Sequence, residues 1–199
     1  MQRTQAGLVL GYHGTSRATA EAVIHSHGRN HLKHSRNDYD WLGQGIYFWE
    51  NSQRRAEQWA WEHYADQEPV VIGAVIQLGT CFDLLDQHFI DIATAAAKGL
   101  VIACEERGEV IPENSNRGRH DFDCALIEHV RHHKDKDHFG GPYDSARAAF
   151  MEGEPILGRS AFCQQTHVQI AVFNTNCIKG YFWPPVPSFE TSAVSSGDG

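Results

Sequence analysis

The chain has 199 residues, of which 41% are hydrophobic and 21% charged, a profile of one soluble globular domain and not of a membrane or disordered chain. A net charge of −8 excludes a surface built for tight, sequence-blind nucleic-acid binding, which needs Lys and Arg against the phosphates. Five scattered cysteines with no C-x-x-C pair speak against a disulfide framework or structural zinc and for a reducing, cytoplasmic setting.

The longest apolar runs, such as Pro69 to Ile76, are too short to cross a bilayer, and no apolar signal core opens the chain, so no membrane span and no cleaved export signal are expected. Thirteen histidines invite a metal reading. They gather as His25, His27, His31, His34 and as His132, His133, His138, without the carboxylate and histidine spacing of a defined site, so no metal is expected.

In chain order, Leu8 to Tyr12 reads as a short strand, and Ser16 as the cap of a helix over Arg17 to His25. Gly28 to Asp40 is polar without apolar period, a loop, and Gly45 to Trp49 reads as a strand between turn glycines. Ser52 opens a helix that keeps Ala56, Trp59, Ala60 and Tyr64 on one face. Val70 to Leu78 is a buried strand, Gln87 to Arg107 a helix, and Gly108 to Arg119 a surface loop. Asp121 to His132 predicts an amphipathic helix with Phe122, Ala125, Leu126 and His129 or Val130 inward. Ala146 to Met151 reads as a strand and Gly153 to Gln165 as a loop. Two strands, Thr166 to Asn174 and Cys177 to Trp183, follow, joined by a tight turn at Asn174-Thr175-Asn176. The composition shifts to Ser, Gly and Thr after Pro185, so a single domain over 1–187 and a disordered tail over 188–199 are expected. Strands and helices without regular βαβ alternation give an α+β class.

Three segments carry candidate chemistry. Tyr12-His13-Gly14-Thr15-Ser16 puts a directed donor and a bare backbone at a strand end. Trp41-Leu42-Gly43-Gln44-Gly45-Ile46-Tyr47-Phe48-Trp49-Glu50 sets two glycines before an aromatic strand. Thr166-His167-Val168-Gln169-Ile170 alternates, so His167 and Gln169 face one side and Val168 and Ile170 the other. Taken singly, each also has an ordinary reading: a turn with a satisfied histidine, a bulged strand start, and a solvent-facing polar pair.

In this order and together, the three resemble the ADP-ribosyltransferases of the diphtheria-toxin and poly(ADP-ribose)-polymerase type, named for a His, Tyr, Glu triad. His13-Gly14-Thr15 is similar to the family's H-G-[ST] strand end and Gly43-Gln44-Gly45-Ile46-Tyr47-Phe48 to its G-x-G-I-Y-F strand. Gln169 to Asn174 is similar to the strand that carries the catalytic Glu. The resemblance spans about residues 8 to 183 and implies two packed, mostly antiparallel sheets with flanking helices and a cleft for NAD⁺, used as a substrate. It implies that His13 bonds the adenosine ribose, that the Gly14 backbone holds the carboxamide and that Tyr47 stacks on nicotinamide. Thr15 and Gly45 would join the cofactor site, and the 28–40 loop would help cover it.

Departures from the pattern shape the expected mechanism. Gln169 can hydrogen-bond a ribose hydroxyl but carries no charge and cannot serve as a base. Single transfer rather than chain elongation is therefore expected, with either a nucleophile that needs little activation or a base from elsewhere; Glu50, Glu152 and Glu154 are the carboxylates near the motifs. The family's second stacking aromatic falls at Gln58, leaving Trp59 or Trp61 to substitute. His167, two residues before Gln169, would recognise the acceptor or take its proton. The activity so implied is mono-ADP-ribosylation of a macromolecule (RNA, DNA or protein), with nucleic acid slightly favoured because no Glu-x-Glu precedes the third strand. A prokaryotic toxin or defence effector of this kind would need an antitoxin or immunity protein. NAD⁺ hydrolysis and an inactive NAD⁺- or ADP-ribose-binding module are the alternatives.

Overall fold

A computed structural model describes residues 4–38, 40–115, 119–133 and 139–185. The tail expected to be disordered and most of the histidine-bearing run from His132 to His138 lie outside the described residues.

Strand β1 (Thr4–Ser16) passes directly into helix α1 (Arg17–Ile24), because Ser16 stays extended and its hydroxyl accepts the Thr19 N–H at 3.4 Å. There follow β2 (Ile46–Glu50), α2 (Gln53–Tyr64), β3 (Pro69–Asp83), α3 (Gln87–Arg107), α4 (Asp121–His132), β4 (Ser145–Phe150), β5 (His167–Val172) and β6 (Ile178–Phe182). The class is mixed α+β, as expected. Both long strands outrun their apolar cores: Leu8 to Tyr12 is the middle of β1, and Val70 to Leu78 the middle of β3.

All six strands form one sheet in the order β1-β2-β5-β4-β3-β6, and a β1–β3 pairing closes five of them into a ring. The two packed sheets that the resemblance implies are joined into one, because β3 pairs with β1, β4 and β6. It pairs β1 along one edge and shares the other between β6, at Gly73–Ile76, and β4, at Cys81–Asp83. The β3–β4 pairing is parallel and the other pairings are antiparallel. β5 and β6 do not form the hairpin that a tight turn implies. A 3-10 turn (Thr175–Cys177) carries the chain from β5, between β2 and β4, across to the edge of β3.

Side-chain alternation along β5 divides the core. Ile170 and Val172 pack with Ile46, Phe48, Ile72 and Ile76, while Ala171 faces a second cluster with Leu42, Phe82, Ala96, Ile127 and Val130 under α3 and α4. The buried face of α4 is Cys124, Ile127 and Val130, so of the expected inward residues Val130 alone is buried. The phase differs because α4 also uses polar side chains inward: Glu128 and Arg131 hold the 41–45 turn, as described below.

Candidate functional site

β2 pairs with β1 at Gly11 and Tyr12. Beyond Tyr12, β1 continues against β3 to Ser16, but among the described residues β2 does not follow it. The strands part there, and a cleft of about 760 Å³ opens, of the size that takes a small-molecule ligand. His13, Thr15, Gly45, Tyr47 and Gln169 line it, so side chains from all three sequence segments meet in one place. Gly14 and His167 are not on its wall.

The imidazole of His13 bridges the parting strands, with Nδ1 2.7 Å from the Tyr47 carbonyl oxygen. A carbonyl only accepts, so Nδ1 carries the proton and Nε2 of the neutral ring is an acceptor. Burial lowers the His13 pKa, outweighing the opposite pull of that bond, and so favours this neutral form. The backbone next door is oriented by the ladder. The Leu10 carbonyl accepts the Asn51 N–H on the β2 side, and the period of two sends the polar groups of Tyr12 and Gly14 the same way. Past the last β1–β2 pair, the Gly14 N–H and C=O therefore point to the open edge. The missing side chain of Gly14 has a separate cause: a Cβ there would run into the Ala56 carbonyl oxygen and lie 3.0 Å from Ala60 Cβ. Glycine at this position lets α2 sit on β1.

Tyr47 is held by its own loop. Its hydroxyl accepts the Leu42 N–H at 2.8 Å and donates to the Gly43 carbonyl at 2.7 Å, and burial raises its pKa well above 10.0. α4 fixes the same turn: Glu128 accepts the Gln44 N–H at 2.7 Å and Arg131 donates to the Gln44 carbonyl at 3.0 Å. Gly43 has φ +76, and a Cβ there would stand 2.8 Å from Ile127 Cγ2, so the first glycine of the motif is a turn and packing requirement. Of the aromatic substitutes for Gln58, Trp59 lines the cleft, stacked on His63 with ring centroids 4.1 Å apart. Trp61 is exposed and faces a different groove.

Gln169 sits opposite Trp49 in the β2–β5 ladder, and among the described residues its amide has no hydrogen-bond partner. His167 is on the same face, yet its side chain is 1% exposed, with Nδ1 2.6 Å from the Gln165 carbonyl. A solvent-facing His167 is excluded by this burial. The carboxylates separate cleanly. Glu50 is bound to Arg147 through two contacts, 2.6 and 2.8 Å, and Arg147 also reaches Asp83 at 3.2 Å. Neither Glu50 nor Glu154 lines the cleft, whereas Glu152 does, paired to Arg55 at 2.7 Å. Sequence reasoning missed three wall residues, Lys33, Asp40 and Arg55. Burial raises the Asp40 pKa against hydrogen bonds from Ser35 and Asn37. Arg55 leaves one possible trace in the sequence, a cation on the helix that follows the aromatic strand, but its partner lies 97 residues away.

The 28–40 loop forms much of the outer wall through Leu32, Lys33, His34, Ser35 and Asn37, tied down by Ser35 N–H to the Gly45 carbonyl at 2.8 Å. Cations and carboxylates thus face one cavity together with aromatic rings, an arrangement suited to a ligand with both a flat ring and an anionic part. Among the described residues no cluster of three or more His, Cys, Asp or Glu is placed to hold a metal ion, and no helix is long and apolar enough to cross a membrane. No protein-family model matches the chain, and no curated protein or solved structure matches it.

Proposed function

We propose that this protein binds NAD⁺ in the cleft between β1 and β2 and transfers its ADP-ribose, once per site, to a macromolecular acceptor. The observation that carries the reading is the meeting of His13, Tyr47 and Gln169, 156 residues apart at the extremes, on the wall of one cavity.

Each group matches a part of the dinucleotide. The Gly14 N–H and C=O, on the splayed edge of β1 between the wall residues His13 and Thr15, complement the acceptor and donor of a carboxamide. The Tyr47 ring, anchored at its hydroxyl, offers a fixed face to nicotinamide. His13 Nε2 accepts from a ribose hydroxyl, and Lys33 supplies a cation for the pyrophosphate. Cleavage of the nicotinamide–ribose bond builds positive charge on the ribose. Gln169 orients the 2′-hydroxyl, and Asp40 supplies the negative charge that position 169 lacks.

On this reading the protein is an effector or toxin acting on RNA, DNA or protein, and a producer needs a neutralising partner against it. The test is incubation with adenylate-labelled NAD⁺ and a cell lysate, followed by separate protease, RNase and DNase treatment. Label on a macromolecule is expected, and the treatment that removes it names the acceptor. Free ADP-ribose alone would make the protein a hydrolase. NAD⁺ left intact would contradict both.

A further inference from the structure

Three side-chain nitrogens among the described residues are buried without a hydrogen-bond partner: Trp49 Nε1, Arg55 Nε and His167 Nε2. They belong to one cluster. The rings of Trp49 and His167 are 6.3 Å apart, and Arg55 Cζ lies 5.9 Å from the Trp49 ring centroid. Glu152 joins them, with Oε2 2.7 Å from Arg55 Nη2 and 3.8 Å from His167 Nδ1. Arg55 and Glu152 line the cleft, whereas His167, behind them, does not. The ion pair therefore stands between the cavity and the histidine.

The unmet groups define what would satisfy them. His167 Nδ1 must donate to the Gln165 carbonyl, so Nε2 is an acceptor, while Trp49 Nε1 and Arg55 Nε are donors. A hydroxyl offers one donor and two acceptor sites and answers all three. A carboxylate or dianionic phosphate has nothing to give Nε2, and an ammonium has nothing to accept from the indole.

We infer that Trp49, Arg55 and His167 form a closed subsite for a hydroxyl group of the acceptor, covered by the Arg55–Glu152 pair, with His167 Nε2 as the proton acceptor. This rests on the transferase reading and adds the chemical class of the acceptor. When Glu152 swings off Arg55, whose Nε stays on the subsite, the hydroxyl gives its proton to Nε2 and its oxygen bonds C1′. The C1′–nitrogen bond breaks with its electrons going to nicotinamide, which leaves neutral, and His167 then returns the proton to solvent.

The experiment has two parts. Diethyl pyrocarbonate modification, mapped residue by residue, should spare His167 in the wild-type protein while exposed His132 reacts, and Glu152→Ala should make His167 reactive. His167→Phe keeps a ring in place and should lower label transfer about 100-fold, the scale of a lost general base, with NAD⁺ affinity unchanged by calorimetry. With glycerol and propylamine as small probes, Glu152→Ala should form the glycerol adduct in preference. Full transfer by a His167→Phe protein that still binds NAD⁺ would overturn the subsite alone, as would preference for propylamine. A wild-type protein that binds no NAD⁺ would sink the transferase reading as well.

Discussion

His13 Nδ1 lies 2.7 Å from the carbonyl oxygen of Tyr47, so one imidazole ties β1 to β2 at the point where their ladder stops. The bond does two jobs: it satisfies a carbonyl that the parted strand has left free, and it sets the tautomer that turns Nε2 into an acceptor. Replacing His13 with Ala leaves that carbonyl without its partner. We predict a loss of about 1–3 kcal/mol, read from urea unfolding, together with loss of NAD⁺ binding in calorimetry.

Burial holds His13, His34 and His167 below the ordinary histidine value of 6.5; for His34 the nearby Arg131, Arg36 and His31 add to it. As the pH falls, the unfolded chain takes up protons before the folded one. This share of stability is therefore complete above pH 6.5 and is lost as the pH drops below it toward the folded values. Urea midpoints should fall between about pH 7.5 and about pH 5.5, above the range where most carboxylates titrate, and His13→Gln should flatten the slope. An unchanged slope in that variant would show that His13 is not the group responsible.

Tyr47→Phe and Tyr47→Ala separate the ring from the hydroxyl. Phe keeps the flat face but frees the Leu42 N–H and Gly43 carbonyl that the hydroxyl holds. It should cost about 1 kcal/mol in stability and weaken NAD⁺ roughly tenfold through a looser turn. Ala should abolish label transfer. Equal transfer by the Ala variant would remove Tyr47 from the site.

Gly14→Ala tests the packing that shapes the cleft. Its new methyl meets the α2 backbone at the Ala56 carbonyl, which cannot rotate away as a side chain could. We expect a lower melting temperature, corresponding to about 1–3 kcal/mol, with α2 and Trp59 displaced from the cleft. A melting curve superimposable on wild type would contradict the close approach.

Glu50 stood among the carboxylates that the sequence offers as a base, and its place with Arg147 and Asp83 assigns it to stability instead. Arg147→Met removes the cation shared by two largely buried carboxylates and should cost about 3–5 kcal/mol by urea unfolding. Glu50→Gln should leave transfer per folded molecule unchanged.

Local pattern reveals some of this molecule well. Helices α3 and α4 run over the residues the sequence pattern marks, Gln87 to Arg107 and Asp121 to His132, and for α3 the Asp86 cap and left-handed Gly108 write both ends within a few residues. Strand length is less legible: β1 continues through Gly14, Thr15 and Ser16, which read as a turn but are held extended by β3 across the ladder. The same limit hides Arg55, Asp40 and the pairing that sets Glu152 apart from Glu50 and Glu154. Their roles depend on a splay between β1 and β2 and on an ion pair closed across 97 residues, neither of which has a local signature. The inward face of α4 was misphased for a related reason, since Glu128 and Arg131 look like surface charges until the turn they hold is in view.

The most direct measurement is a crystal structure of the protein with NAD⁺ bound. The account predicts nicotinamide against the Tyr47 ring with its carboxamide at the Gly14 backbone, a ribose hydroxyl on His13 Nε2, and C1′ facing Gln169. A dinucleotide seated outside the cleft, or within it but turned away from these residues, would contradict it.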